Sequence, residues 1–287
     1  MEEMGIVRNE PAGEAHRRAW ASLIGVDAEK NQLAAWATLA LRSASVDRTS
    51  TAINRLALIA GPPGTGKTTL ARNLGGVLSE VVGSAVRVIE FAAHDIMSGE
   101  HGRTQRQAHN VLTEVIPELA GSDFCVLVID EVEALAMRRE AVSLEANPVD
   151  VHRTTDAVIT ALDVLADRCA NVVTVATTNF PDLVDAAMSS RADIVLNVPL
   201  PNETAISDIL RSTLRAWATD FAELGALAAD PGIDDVAAAL FNGQLDARQT
   251  RKFILDVLSS DITLAADPNS LRLPYLEKAA AARRGAS

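Results

Sequence analysis

Five short apolar runs punctuate the chain: Leu56–Ala60, Val86–Phe91, Phe124–Ile129, Val172–Ala176 and Ile194–Leu196. Their lengths suit strands, and the near-continuous Phe124–Ile129 run suits a strand buried on both faces. Between them, apolar residues recur at helical spacing. Ala28–Leu41, the stretch from Leu70 to about Val82, a segment reaching Leu119, and Arg153–Leu165 with Val158, Leu162 and Leu165 in register all read as helices. Strands alternating with helices predict an α/β layer fold built on a parallel sheet. After Pro199-Leu200-Pro201-Asn202 the strand pattern stops. The remainder reads as helices over about Glu203–Trp217, Ile233–Phe241, Asp246–Leu264 and Pro274–Arg284. Three parts are expected: residues 1–19 as a polar, flexible lead-in, 20–200 as an α/β domain and 201–287 as a small all-α domain.

Composition narrows the class. Of 287 residues, 48% are hydrophobic and 3% aromatic, with alanine abundant enough to favour helices. The formal net charge of -12 argues against general nucleic-acid binding, so no direct nucleic-acid partner is expected. Cys125 falls in an apolar strand and Cys169 at a helix end, which suits reduced thiols better than a disulfide or a metal site. The acidic start Met1-Glu2-Glu3-Met4 lacks a signal-peptide core, and no apolar run reaches membrane-spanning length. A cytoplasmic protein without a membrane partner is expected.

The chemistry concentrates after the first strand. Gly61, Gly66, Lys67 and Thr68 fit G-x-x-x-x-G-K-[ST], between an apolar strand and a helical run. Glycines let the backbone wrap a polyphosphate with its N–H groups inward, and the helix that follows turns its positive end to the anion. Lys67 would reach the β- and γ-phosphates, and the Thr68 hydroxyl would hold Mg²⁺. The backbone from Pro63 through Gly64, Thr65, Gly66, Lys67 and Thr68 to Thr69 is the expected nucleotide cradle. The strand Phe124–Ile129 ends in Asp130-Glu131. Carboxylates there, beside a phosphate loop, suit Asp130 to Mg²⁺ and Glu131 to polarising an attacking water.

The filling Pro62-Pro63-Gly64-Thr65-Gly66 resembles the phosphate loop of AAA+ ATPases. That resemblance implies ATP and Mg²⁺ as ligands. It also implies a five-stranded parallel sheet in the order fifth, first, fourth, third, second along the chain, with helices on both faces and a helical lid beyond. It gives further residues roles. Ile24 and Gly25, before a long helix, are similar to the segment that packs on the adenine ring. Asn179, ending the fourth strand, is similar to sensor 1. Arg191 is similar to the arginine finger, which acts in a neighbouring subunit and so requires an oligomer. Arg248, opening a lid helix, is similar to sensor 2. Each has a plainer alternative: a loop into a helix, an Asn turn cap, an Arg191–Asp193 salt bridge, and a solvated basic helix face.

Three segments resemble one branch of the family, the pachytene checkpoint ATPases that remodel HORMA-domain proteins. They are Asn147–Asp163, Ser190-Arg191-Ala192-Asp193-Ile194, and Asp246-Ala247-Arg248-Gln249-Thr250-Arg251-Lys252, where Asp246 and Ala247 replace the family's Ser and Gly. The resemblance implies a homohexameric ring that threads a HORMA-domain client. With few residues before the core, the chain is similar to bacterial members associated with antiphage signalling, which restrain a cyclic-oligonucleotide synthase by dismantling its HORMA activator. A pore loop would include Ile96, Met97, Ser98 and Gly99, without the usual aromatic grip. An AAA+ chaperone or unfoldase with another client fits the same catalytic set, and a DNA-linked loader is a further alternative that the acidic balance disfavours.

Overall fold

The structure is a computed structural model and describes residues 5–43, 53–92, 103–136 and 148–284. Six strands form one sheet: β1 (Ile6–Pro11), β2 (Leu56–Ala60), β3 (Val86–Ala92), β4 (Phe124–Asp130), β5 (Val172–Thr178) and β6 (Ile194–Asn197), in the order β1-β3-β4-β5-β2-β6. The five strands from β2 to β6 are parallel and follow the expected order. Because both faces of the sheet are covered, the strands carry apolar residues at both parities. Leu56, Leu58, Ile89, Phe91, Leu127 and Ile129 join one core. That core also takes residues of α4 (Arg103–Asn110), of the π-helical turn Val111–Val115 and α5 (Ile116–Ala120) that continue it, and of α6 (Pro148–Arg168). Alternate residues such as Ala57, Ile59, Val126 and Val128 are equally buried. The helices α2 (Asp27–Arg42) and α3 (Lys67–Val82) pack against the sheet.

The N-terminal segment corrects the expectation of a flexible lead-in. Ile6–Pro11 pairs antiparallel with β3, and α1 (Glu14–Ala21) follows and packs on α3. An edge strand faces water along its outer side, so the stretch IVRNEP shows little apolar patterning. Beyond the strand pairing, it is held by one inward residue, Ile6, by the ion pair of Arg8 with buried Glu90 at 3.4 Å, and by Asn9 Oδ1, which accepts from Arg87 Nη1 at 3.0 Å.

The chain divides into two compact units. The first contains Met1–Leu23, Asp27–Gly61 and Lys67–Val198; the second contains Ile24–Val26, Pro62–Gly66 and Pro199–Ser287. After α7 (Ala186–Arg191) of the first unit come α8 (Glu203–Trp217), α9 (Glu223–Ala228), α10 (Ile233–Asn242), α11 (Ala247–Leu258), α12 (Ile262–Ala266) and α13 (Leu273–Arg284). Ile206, Leu210 and Leu214 at i, i+4 spacing meet Leu240, Phe253, Ile254 and Leu276 in a separate core. The expected helix Asp246–Leu264 is broken, because Ser259 caps α11 and Asp261 caps α12 through the Thr263 N–H at 2.7 Å. No helix among the described residues is long and apolar enough to cross a membrane.

Candidate nucleotide site

Parallel pairing brings the carboxyl ends of three strands level. Ala60 of β2 lies opposite Thr178 of β5, and Ile129 of β4 lies opposite Ala176. Ligands in open α/β sheets bind at these strand ends. Beyond β2 the chain enters the glycine loop, and α3 begins at Lys67.

Within the first unit, six side chains form two hydrogen-bonded sets, Lys67–Asn179–Glu131 and Thr68–Asp130–Thr177. Lys67 is buried, and its Nζ donates to Asn179 Oδ1 at 2.7 Å. Asn179 Nδ2 donates to Glu131 Oε1 at 3.3 Å. Thr68 Oγ1 donates to Asp130 Oδ1 at 2.8 Å, and the Thr177 hydroxyl donates to that same oxygen. Glu131 holds a left-handed backbone, φ 54° and ψ 53°, which turns the chain sharply out of β4. A non-glycine residue in that region carries a conformational cost, and such positions cluster at functional sites. Thr69 lies one position along α3 from Thr68, and its carbonyl accepts from Asn73 Nδ2 at 2.7 Å.

Within the second unit, the loop residues are held by their own neighbours. Thr65 Oγ1 donates to the Pro62 carbonyl at 3.0 Å, and Arg248 N–H donates to the Gly64 carbonyl at 3.3 Å. Gly64 has φ +77°, and a Cβ there would meet the Asp246 carboxylate at 2.2–2.5 Å, so a larger residue would be strained and would have to displace that side chain. Gly25 has the same φ, and a Cβ on it would lie 2.5 Å from Ala205 Cβ in the first turn of α8. Ile24, beside it, is half-buried. Arg248 stands in the first turn of α11 and is exposed.

Arg191 ends α7 in the first unit. Its Nε donates to Asp163 Oδ2 at 3.0 Å and its Nη1 to the Ala187 carbonyl at 3.1 Å. The considered partner, Asp193, instead accepts from Trp36 Nε1 at 3.1 Å and from Asn54 N–H at 2.7 Å. Ile96, Met97, Ser98 and Gly99 lie outside the described residues.

The structure adds residues that the sequence reading passed over. Glu133 is buried, and its Oε1 accepts the Asn179 N–H at 3.2 Å. Its place two residues after Glu131 was the available signal. Thr177 and Asp163 gave none, since a threonine in a strand and an aspartate on a helix are commonplace.

The donor chemistry fits ATP with Mg²⁺. Thr68 and Asp130 present hard oxygens in direct contact, and Mg²⁺ is held by one or two such groups together with phosphate oxygens. Lys67 sits at the start of α3, whose first-turn N–H groups favour anions.

The profile of the ATPase family associated with various cellular activities (AAA) matches residues 57–200. CD-NTase-associated protein 6 of Pseudomonas aeruginosa is 40% identical over 262 residues, covering 91% of this chain and 86% of that protein. Putative pachytene checkpoint protein 2 of Caenorhabditis elegans is 34% identical over 202 residues, which cover 68% of this chain and 47% of that protein. The chain thus spans about half the length of that second relative. Among solved structures, a chain of the E. coli MS115-1 HORMA:CdnC:Trip13 complex matches with a TM-score of 0.73 at 19% identity, covering 98% of this chain and 96% of that chain. At that identity the likeness speaks for the fold.

Proposed function

The chain belongs to the AAA family of ATPases, in the branch of the pachytene checkpoint proteins and CD-NTase-associated protein 6, and from that premise we propose that it couples ATP hydrolysis to remodelling a HORMA-domain protein. The observation that carries the ATPase reading is the chain of contacts Lys67–Asn179–Glu131 beside the pair Thr68–Asp130. In this reading Lys67 would meet the phosphates, Glu131 the water, and the Asn179 amide would fix both.

Each residue's part follows from its position. The loop N–H groups from Pro63 to Thr69, less the proline, and the Lys67 ammonium would bind the polyphosphate. Glu131 would accept a hydrogen bond from the attacking water and orient it toward the γ-phosphorus. Asn179 would hold that carboxylate in place and share the phosphate oxygen with Lys67. Thr68 and Asp130 would hold Mg²⁺, which would supply charge neutralisation on the phosphate oxygens. Arg248 would turn its guanidinium to the phosphates, and Ile24 and Gly25 would border the base. Arg191 would serve a neighbouring copy's nucleotide, which would make the working form a homohexameric ring. The client reading is supported by the name of the Pseudomonas relative and by the HORMA-containing complex whose chain shares this fold. In this chain's pathway the client would be the HORMA activator of a cyclic-oligonucleotide synthase in an antiphage system, gripped by the loop that includes Ile96, Met97, Ser98 and Gly99.

The test is a substrate trap. A Glu131→Gln chain, loaded with ATP and Mg²⁺, should retain a HORMA-domain protein from the native lysate and release it when ADP replaces ATP. Retention of an unrelated enzyme, a protease ring or nuclease-sensitive DNA would reject the client and leave the ATPase reading standing.

A further inference from the structure

We propose that Asp246 sets how tightly the phosphate loop holds nucleotide, by pressing a fixed negative charge against the loop backbone. The inference rests on reading Gly61–Thr68 as a polyphosphate loop. Asp246 lies where α11 begins, and its carboxylate rests on Gly64 so closely that a Cβ on that glycine would overlap the carboxylate carbon and both oxygens. The side chain is pinned there. Its Oδ1 accepts the Gln249 N–H at 2.7 Å, and Gln249 Oε1 accepts the Asp246 N–H at 3.0 Å. Its carbonyl accepts from Thr250 Oγ1 at 2.8 Å, and the Arg248 N–H is tied to the Gly64 carbonyl at 3.3 Å.

Capping explains the side chain's shape but not its charge. Asn and Ser cap helices about as well as Asp. A carboxylate adds a full negative charge against a loop whose N–H groups are arranged to attract anions. Like charges at this range repel appreciably even in a partly hydrated site. Asp246 therefore weakens polyphosphate binding, and weakens it more for ATP than for ADP, which carries less charge. Arg248, two residues on, supplies the opposing charge. The pair would thus balance retention against release.

The experiment compares Asp246→Asn with the native residue in the full chain. ATP binding is measured by calorimetry with Mg²⁺ in the Glu131→Gln background, and ADP binding in the native background, at low and high NaCl. Asp246→Asn should bind ATP about 3- to 10-fold more tightly at low salt, roughly the effect of up to 1.4 kcal/mol. The gain should be smaller for ADP and should shrink at high salt, with an unchanged melting temperature. Asp246→Ser, which also keeps a cap, should show the same gain and covers a failure of the first variant to fold. Equal ATP affinity with and without the charge, or a gain indifferent to salt, would overturn the inference. Failure of the native chain to bind either nucleotide would instead overturn the reading of the loop.

Discussion

Asn179 joins the two ends of the proposed chemistry: its Oδ1 accepts from Lys67 Nζ at 2.7 Å while its Nδ2 donates to Glu131 Oε1 at 3.3 Å. An amide serves here because it both accepts and donates. Asn179→Ala should lower kcat about 100-fold, the scale of losing one aligned donor, with ATP affinity within about threefold because the loop N–H groups remain. Single-turnover hydrolysis and calorimetry separate the two effects. A kcat within twofold of native would remove Asn179 from the catalytic set.

Arg191 and Asp163 are each more than a third exposed, so their pair at 3.0 Å is a weak tether. An exposed ion pair contributes at most about 1 kcal/mol, and releasing Arg191 to a neighbour costs no more. Asp163→Asn should therefore change kcat by less than about fivefold, while Arg191→Ala should lower it about 1000-fold. Mixing inactive Arg191→Ala with inactive Lys67→Ala should restore turnover, because each supplies what the other lacks across a shared interface. No recovery in mixtures that demonstrably co-assemble would place Arg191 outside the trans role.

Glu133 holds Asn179 from behind, through the backbone. Its Oε1 accepts the Asn179 N–H at 3.2 Å, and its Oε2 is a buried oxygen with no hydrogen-bond partner among the described residues. Only one acceptor is needed, so Glu133→Gln should keep both melting temperature and kcat close to native. Glu133→Ala takes the acceptor from the part-buried Asn179 N–H at a cost of about 0.5–1.5 kcal/mol, and should lower kcat with it. Equal behaviour of the two variants would show that the hydrogen bond does not position Asn179.

Burial pushes the Cys125 thiol from 9.0 up to about 12. The pKa is raised in the folded state, so the stabilising preference for the neutral thiol is fully present below the unfolded value of 9.0 and is lost as pH rises toward 12. Urea unfolding should show stability falling across that window, with a shallower fall in Cys125→Ala. At neutral pH, iodoacetamide should modify half-buried Cys169 well before Cys125. Equal labelling rates in the folded chain would contradict the burial of Cys125.

Much of the fold was legible because apolar runs and helical spacing report burial directly. The five parallel strands and the capped helix α11 follow from such local signals. β1 was not legible, since a polar edge strand earns its place through distant partners such as Phe91 and Glu90. At the proposed site, the glycine loop stands out by its spacing, and Asp130-Glu131 by ending an apolar strand downstream of that loop. Thr177 and Asp163 act only through tertiary neighbours, at Asp130 and Arg191 respectively. The third carboxylate, Glu133, was visible but ambiguous, because an acid after a strand is usually solvated.

The pairing of Ile6 with Phe91 also sets a schedule for synthesis. β1 is made before the other elements of its sheet, and its partner strand follows some eighty residues later, at Val86–Ala92. At about 5–20 residues per second, the segment waits on the order of 4–16 s with Ile6 exposed. This edge of the sheet is thus translated well before the strand it docks on. Nascent chains arrested before residue 86 should be cut by protease within residues 6–11, and protection there before β3 emerges would refute this order.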